Sequence, residues 1–180
     1  MFLILIQFVL IIISAFIVIS FAHFLVTGNT PSITSPLSSR KYLLENILLD
    51  EKSVFYDLGC GNSKLLIELS RKNPNGKYFG VDNSLVSFLS SKLGVIFSRQ
   101  KNIEIKFANF FNLDLTPATR IYLWIYVKDM EKLFKKFKKE LRPGTLVYSL
   151  DFPFTSIEPK EIINLGKENK FGHTLYIYIF

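Results

Sequence analysis

The chain has 180 residues, 49% of them hydrophobic and 21% charged, with a formal net charge of +7. Cys60 is the only cysteine, so no internal disulfide can form, which suits a reducing compartment. The two histidines, His23 and His173, stand at opposite ends of the chain, and no zinc-ligand spacing exists.

No Asp, Glu, Lys or Arg precedes Arg40, and Phe2 to Val26 form an almost unbroken apolar run. At about 1.5 Å per residue, a helix of that length spans the ~30 Å hydrocarbon core, so residues 1–27 are expected to form a transmembrane anchor. A cleaved secretory signal would start with basic residues and have a shorter apolar centre; neither feature is present. His23 falls near the helix end, where a polar tip reaches the headgroups. Arg40, Lys41 and the basic region beyond favour a cytoplasmic C-terminal side under the positive-inside rule. The expectation is a single-pass membrane protein with the lipid bilayer as one partner. Residues 28–39, rich in Ser, Thr, Pro and Gly, read as a linker, which leaves 40–180 as one domain large enough to bury a core without staples.

Within that domain the apolar periodicity predicts a helix over 40–49, a strand over 54–59, a helix over 64–71 and a strand over 77–81. It continues with a helix over 85–99, strands over 103–108 and 120–127, a helix over 128–141 and a strand over 145–151. The last twenty residues read as two strands joined by a polar turn, a hairpin closing one edge. Such alternation implies an α/β fold with a mostly parallel sheet and helices on both faces.

Ligands in such sheets bind outside the carboxyl ends of the strands, where Asp57, Asp82, Asn109 and Asp151 all fall. The first of these ends is the most informative. An apolar strand closes at Asp57 and runs through Gly59 and Gly61 into a helix, so the backbone can approach a ligand closely and the helix start offers unpaired N–H groups. Asp82, at the next strand end, is placed to take both hydroxyls of a ribose. The glycine spacing lacks the third glycine of the dinucleotide fingerprint, which weakens a pyrophosphate reading. The segment Asp57-Leu58-Gly59-Cys60-Gly61 resembles the first motif of class I S-adenosylmethionine-dependent methyltransferases. The resemblance implies S-adenosyl-L-methionine as cofactor, a Rossmann-like sheet, and Asn109 with Phe110 beside the adenine. An Asn-Phe pair is equally an ordinary strand exit, and both readings stand.

Residues 107–154 narrow the resemblance. Asn109-Phe110-Phe111, the aromatic stretch Tyr122 to Tyr126, the turn Leu141 to Thr145 (Leu-x-Pro-Gly-Thr) and Asp151-Phe152 are similar to a family of protein-lysine methyltransferases. That family includes the mitochondrial enzymes acting on ATP synthase subunit c and the adenine nucleotide translocase, with archaeal relatives of broad specificity. It implies a protein substrate, a membrane protein among the candidates, and mitochondrial members also carry an N-terminal membrane segment. Two departures stand out. Thr34-Ser35-Pro36-Leu37 replaces a Pro-Phe-Val-Pro segment, and Ser63 occupies a place commonly held by glycine, where a positive φ would cost strain.

Methylating an amine requires its neutral form and tolerance of a cationic product, which aromatic faces and one carboxylate supply. Trp124, Tyr126, Asp151, Phe152 and Phe154 are the candidates, with Asp151 orienting the amine or accepting its proton. Tyr122, Trp124 and Tyr126 also alternate as residues filling one sheet face would. The basic stretch Lys128 to Arg142 reads as an amphipathic helix with a solvated face; no nucleic-acid motif accompanies the charge, so no nucleic-acid partner is expected. A small-molecule or lipid methyltransferase, and a catalytically silent tethered scaffold, are the alternatives.

Overall fold

The computed structural model describes residues 2–27, 34–166 and 171–180. Seven strands, β1 (Val54–Leu58), β2 (Lys77–Asp82), β3 (Ile103–Phe107), β4 (Arg120–Leu123), β5 (Leu146–Leu150), β6 (Glu161–Asn164) and β7 (Thr174–Ile179), form one sheet in the order β3-β2-β1-β4-β5-β7-β6. The first five are parallel; β7 runs antiparallel between β5 and β6. The expected mostly parallel sheet with an antiparallel C-terminal pair is therefore present, and the strand order reverses between β1 and β4, where a crevice opens at the carboxyl ends.

The helices are α1 (Phe2–Thr27), α2 (Leu37–Asn46), α3 (Lys64–Lys72), α4 (Leu85–Ser98) and α5 (Val127–Glu140). One sheet face packs Phe55, Tyr78, Ile105, Tyr122 and Leu175 against Leu43 of α2, Leu66 and Leu69 of α3 and Val95 of α4. The other packs Tyr56, Val81, Ile121, Val147 and Tyr178 against Met130, Leu133 and Phe137 of α5. Alternation along each strand supplies both faces, the period-two rule that makes a doubly covered sheet apolar on both sides.

Several boundaries move for physical reasons. β4 stops at Leu123, not Val127, because its neighbours end there: Leu123 pairs with Leu58 on one side and Ser149 on the other, and β1 turns away at Gly59, φ 83°. α5 consequently starts at Val127. α2 begins at Leu37, inside the stretch expected as linker, with Pro36 as its N-cap residue. Ser39 is fully buried, and Arg40 is buried with its Nε 2.9 Å from Glu68 of α3.

The apolar N-terminal run is a helix, α1, of 26 residues, and its described side chains are exposed. The expected bilayer crossing is not shown: among the described residues no helix is long and apolar enough to cross a membrane. The α1 side chains described are those of 3–15 and 17–19, two stretches each short of a span. The side chain of His23, residues 28–33 of the expected linker, and residues 167–170 of the final polar turn lie outside the described residues.

Candidate active site

Asp57, the penultimate residue of β1, lies on the sheet face that carries Phe55 and is 3% exposed. Burial first, and the Asp82 carboxylate second, push its acid up to about 8. No hydrogen bond to its carboxylate is found among the described residues. The loop that follows turns through Gly59 and Gly61 (φ 56°), both in the left-handed region where side chains are strained. Its start is stapled to β2 by the amides of Gly59 and Cys60, which donate to the Val81 carbonyl at 2.8 and 3.1 Å.

Ser63 adopts φ 56° as well, so the strain expected of a non-glycine residue there is present. Its hydroxyl compensates, donating to Ser91 Oγ of α4 at 2.9 Å, and Ser91 donates onward to the Gly61 carbonyl at 2.5 Å. A hydroxyl relay thus fixes the loop at this left-handed position.

Asp82 ends β2 with both oxygens engaged: Oδ2 accepts from the Gly61 amide at 3.1 Å and Oδ1 from the Ser84 amide at 2.8 Å. Burial raises its acid above the ordinary value, while those amides pull the other way. The carboxylate is locked beside the glycine loop and remains part-exposed. At the end of β3, Asn109 spends its side-chain oxygen on the Phe111 amide at 3.0 Å, capping a single turn over Phe110–Asn112. Asn109 is exposed, and the Phe110 ring packs against Phe111 and the core.

Asp57, Gly59, Gly61 and Asp82 are therefore brought together, and their chemistry fits a cofactor with a cationic amino-acid end and a ribose. A buried carboxylate without a donor is stabilised by an ammonium, and a locked second carboxylate offers lone pairs to a diol.

The residues expected around the acceptor amine divide. Asp151 sits at φ 63° just past β5, and its carboxylate accepts from the backbone amides of Gly172 (2.7 Å), His173 (2.8 Å) and Thr174 (3.4 Å). It is a negative charge fixed in one orientation at the β5–β7 junction. Trp124 is half-buried against the face carrying α2 and α3, and Tyr126, the N-cap residue of α5, is exposed with Lys128 Nζ 5.7 Å above its ring. Phe152 is half-buried against the α5 face. Phe154 is corrected: it is 3% exposed among Phe134, Phe137, Tyr178 and Phe180, a core ring beyond reach of a substrate.

Two features escaped the sequence. Tyr122, buried in β4 next to Asp57, has its phenol pushed up by burial and donates at 2.9 Å to Ser35. Thr34 Oγ1 accepts from Asn62 of the glycine loop at 2.8 Å, and the Pro36 ring leaves no room for a Cβ at Gly172. Thr34–Pro36 thus straps the glycine loop, the β4 tyrosine and the Asp151 junction together. Proline ahead of a helix was the signal available. A groove of about 440 Å³ lined by Phe134, Phe137, Leu141 and Phe180 lies elsewhere. Phe180 marks the amino end of β5, since Ile179 pairs with Leu146, the first residue of that strand.

The ANTKMT methyltransferase domain model matches residues 57–161. A protein-lysine N-methyltransferase of Saccharolobus islandicus (strain REY15A) is 30% identical over 156 residues, spanning 84% of this chain and 94% of that protein. Among solved structures, an RNA methyltransferase from Salinibacter ruber in complex with S-adenosyl-L-homocysteine superposes with TM-score 0.73 at 24% identity, covering 82% of this chain and 93% of that one. Precorrin-6y C5,15-methyltransferase from Geobacter metallireducens GS-15 gives TM-score 0.59 at 16% identity, with coverages of 83% and 89%. Both structures show likeness of fold.

Proposed function

The chain belongs to the ANTKMT methyltransferase family and is an S-adenosylmethionine-dependent methyltransferase, and from that premise we propose that its acceptor is a lysine side chain of a protein held near a lipid bilayer. The observation that carries the lysine reading is the match along 94% of a protein-lysine N-methyltransferase. All the candidate residues, from Asp57 to Phe152, lie within the residues 57–161 that the family matches.

Asp57 would hold the cofactor's ammonium and Asp82 its ribose hydroxyls, with Asn109 and Phe110 at the adenine. Bound there, the cofactor would supply an electrophilic sulfonium methyl group, and the acceptor lysine would first have to give up a proton to solvent to expose the nitrogen lone pair. The chain's own residues arrange the acceptor. Asp151, with backbone amides on both oxygens, acts as a fixed negative charge that draws in the lysine cation and favours the cationic product. Trp124 and Tyr126 offer aromatic faces past the end of β4; Tyr126 already lies under one lysine of its own chain. Phe152 walls the site on the α5 side.

The bilayer part rests on the sequence, an almost unbroken apolar run from Phe2 to Val26 without a charged side chain. Arg40 and Lys41, just beyond it, favour a cytoplasmic catalytic domain.

Asp151→Asn in the full-length chain tests the acceptor assignment. Asparagine tolerates the left-handed backbone but turns an amide donor towards one of the backbone amides, so stability falls by about 1 kcal/mol. Methyl transfer to protein is expected to fall about 10²-fold, with cofactor affinity nearly unchanged. Full transfer by a stable variant would remove Asp151 from the chemistry. With radiolabelled cofactor and a membrane extract, label in protein supports the lysine reading, and label in lipid alone overturns it.

A further inference from the structure

Helix α4 is inside out. Its buried residues are Ser87, Ser91 and Val95, with Gly94 beside Ile67 of α3, so a mostly small and polar face meets the domain. Its outward face carries Val86, Leu89, Leu93 (54% exposed), Ile96 (65%) and Phe97 (81%). These recur at intervals of three, four, three and one residues, a single stripe along a helix roughly 21 Å long. A globular helix normally presents the reverse, and a contiguous apolar stripe facing outward marks an interaction surface.

The borders of the stripe indicate what covers it. α4 contains no acidic residue. Lys92 and Arg99 lie on one flank of the stripe, both exposed, and Lys101 follows the helix. On the neighbouring edge strand, Phe107 is exposed and its ring meets Phe88 of α4 at 5.4 Å. The nearby acid Glu104 is engaged with Lys106 at 3.7 Å. An apolar band edged by cations is the pattern of a helix lying in the interface of an anionic membrane, apolar side among the acyl chains and cations at the headgroups.

We propose that the outer face of α4 is a second membrane contact, which lies on an anionic bilayer and orients the catalytic domain. The inference deepens the bilayer reading of α1 and rests on it. α4 leaves directly from the Asp82 turn through its N-cap residue Ser84, so the surface that would face lipid is built on the element that shapes the ribose side of the site. Such contact fixes which way the strand ends face.

The full-length chain, reconstituted into vesicles of neutral phosphatidylcholine with or without phosphatidylserine, tests the proposal. An environment-sensitive thiol probe is attached to the Phe97→Cys variant or, as a control, to Glu51→Cys in the exposed turn before β1; native Cys60 is buried. Brominated acyl chains are expected to quench the Phe97→Cys probe several-fold more than the control in anionic vesicles, and Lys92→Glu with Arg99→Glu should abolish the difference. Equal quenching at both positions, or none at Phe97→Cys in a chain that stays with the vesicles, overturns the proposal. So does a probe shielded without lipid in a species of twice the expected mass, which would assign the face to a second copy. The anchor reading fails separately, through release of the chain from neutral vesicles by alkaline carbonate. Salt-sensitive binding to anionic vesicles would then still report α4.

Discussion

The Asp82 carboxylate is the sharpest test of the cofactor site, because the structure gives it two jobs that separate energetically. Each oxygen already accepts one backbone amide, from Gly61 at 3.1 Å and Ser84 at 2.8 Å, and the remaining lone pairs are those assigned to the ribose. Asp82→Asn keeps the shape but presents a donor to one of the two amides and removes the charge. Losing one of the two amide bonds costs about 1 kcal/mol of stability. Losing charge-assisted bonds to the diol costs about 2 kcal/mol of binding, roughly a 30-fold weaker dissociation constant. Asp82→Ala gives up both amides. Because the turn is part-exposed and water can replace the carboxylate, its further stability loss is about another 1 kcal/mol, while its binding loss matches or exceeds that of the asparagine variant. The assay is calorimetric titration of S-adenosylmethionine into detergent-solubilised full-length chain, with thermal unfolding of the same samples. Unchanged affinity in a folded Asp82→Ala protein refutes the assignment. A loss of affinity that only tracks the loss of stability would reduce Asp82 to a loop staple.

Other outcomes follow from neighbouring groups. The folded chain holds the Asp57 proton up to about pH 8, whereas the unfolded chain releases it near the ordinary carboxylate value. The stability this gives is therefore fully present below about pH 4 and lost as the pH rises to about 8. Cofactor affinity, which needs the anion, should climb over the same upper range; Asp57→Asn should flatten both profiles, and a persisting slope would exclude Asp57. A Cβ at Gly80 would lie 2.8 Å from Ile105 Cδ1 and 2.9 Å from both Cys60 Sγ and Leu66 Cδ1, so Gly80→Ala should cost about 2 kcal/mol in denaturant unfolding. Unaltered stability would mean those three tips yield freely. Ser63→Gly relieves a left-handed φ but removes the bond to Ser91, two effects of about 1 kcal/mol each and opposite sign, so its melting temperature should stay within a few degrees of the parent's. A large shift either way would show that one of the two effects is missing.

What was legible in the sequence is what short-range pattern encodes. The alternating runs around Tyr56, Tyr78 and Val147 locate strands because each residue's face is set by its neighbours two positions away. The glycine loop is visible because only glycine accepts those φ values cheaply. Contacts between distant residues were hidden. The apolar letters of Trp124 to Val127 look like strand, yet a strand lasts only while its partners do, and β1 leaves at Gly59. Leu37 to Ser39 look like linker because nothing nearby shows that the next residue, Arg40, gives its guanidinium to Glu68, 28 positions away. Asp151 reads as a free acid until the turn at Gly172 and His173 closes on it. α4 is the extreme case: its apolar periodicity is real, and it points away from the core.

The strap at Thr34–Pro36 turns the N-terminal segment into a short leash. Thr34 is bonded to the glycine loop, and seven peptide units separate it from Thr27, the last residue of α1. A fully extended chain covers at most about 3.5 Å per residue, so the glycine loop can rise no more than about 25 Å from the end of that helix. If α1 sits in a bilayer, this sets a working height. Lysines on short loops just above the lipid are within range, whereas those on tall extramembrane domains pass over the site. A pull on the leash would reach the glycine loop first, through Thr34, and then Tyr122 of β4 through Ser35. The same few residues that limit reach would register whether a target stands at the right distance.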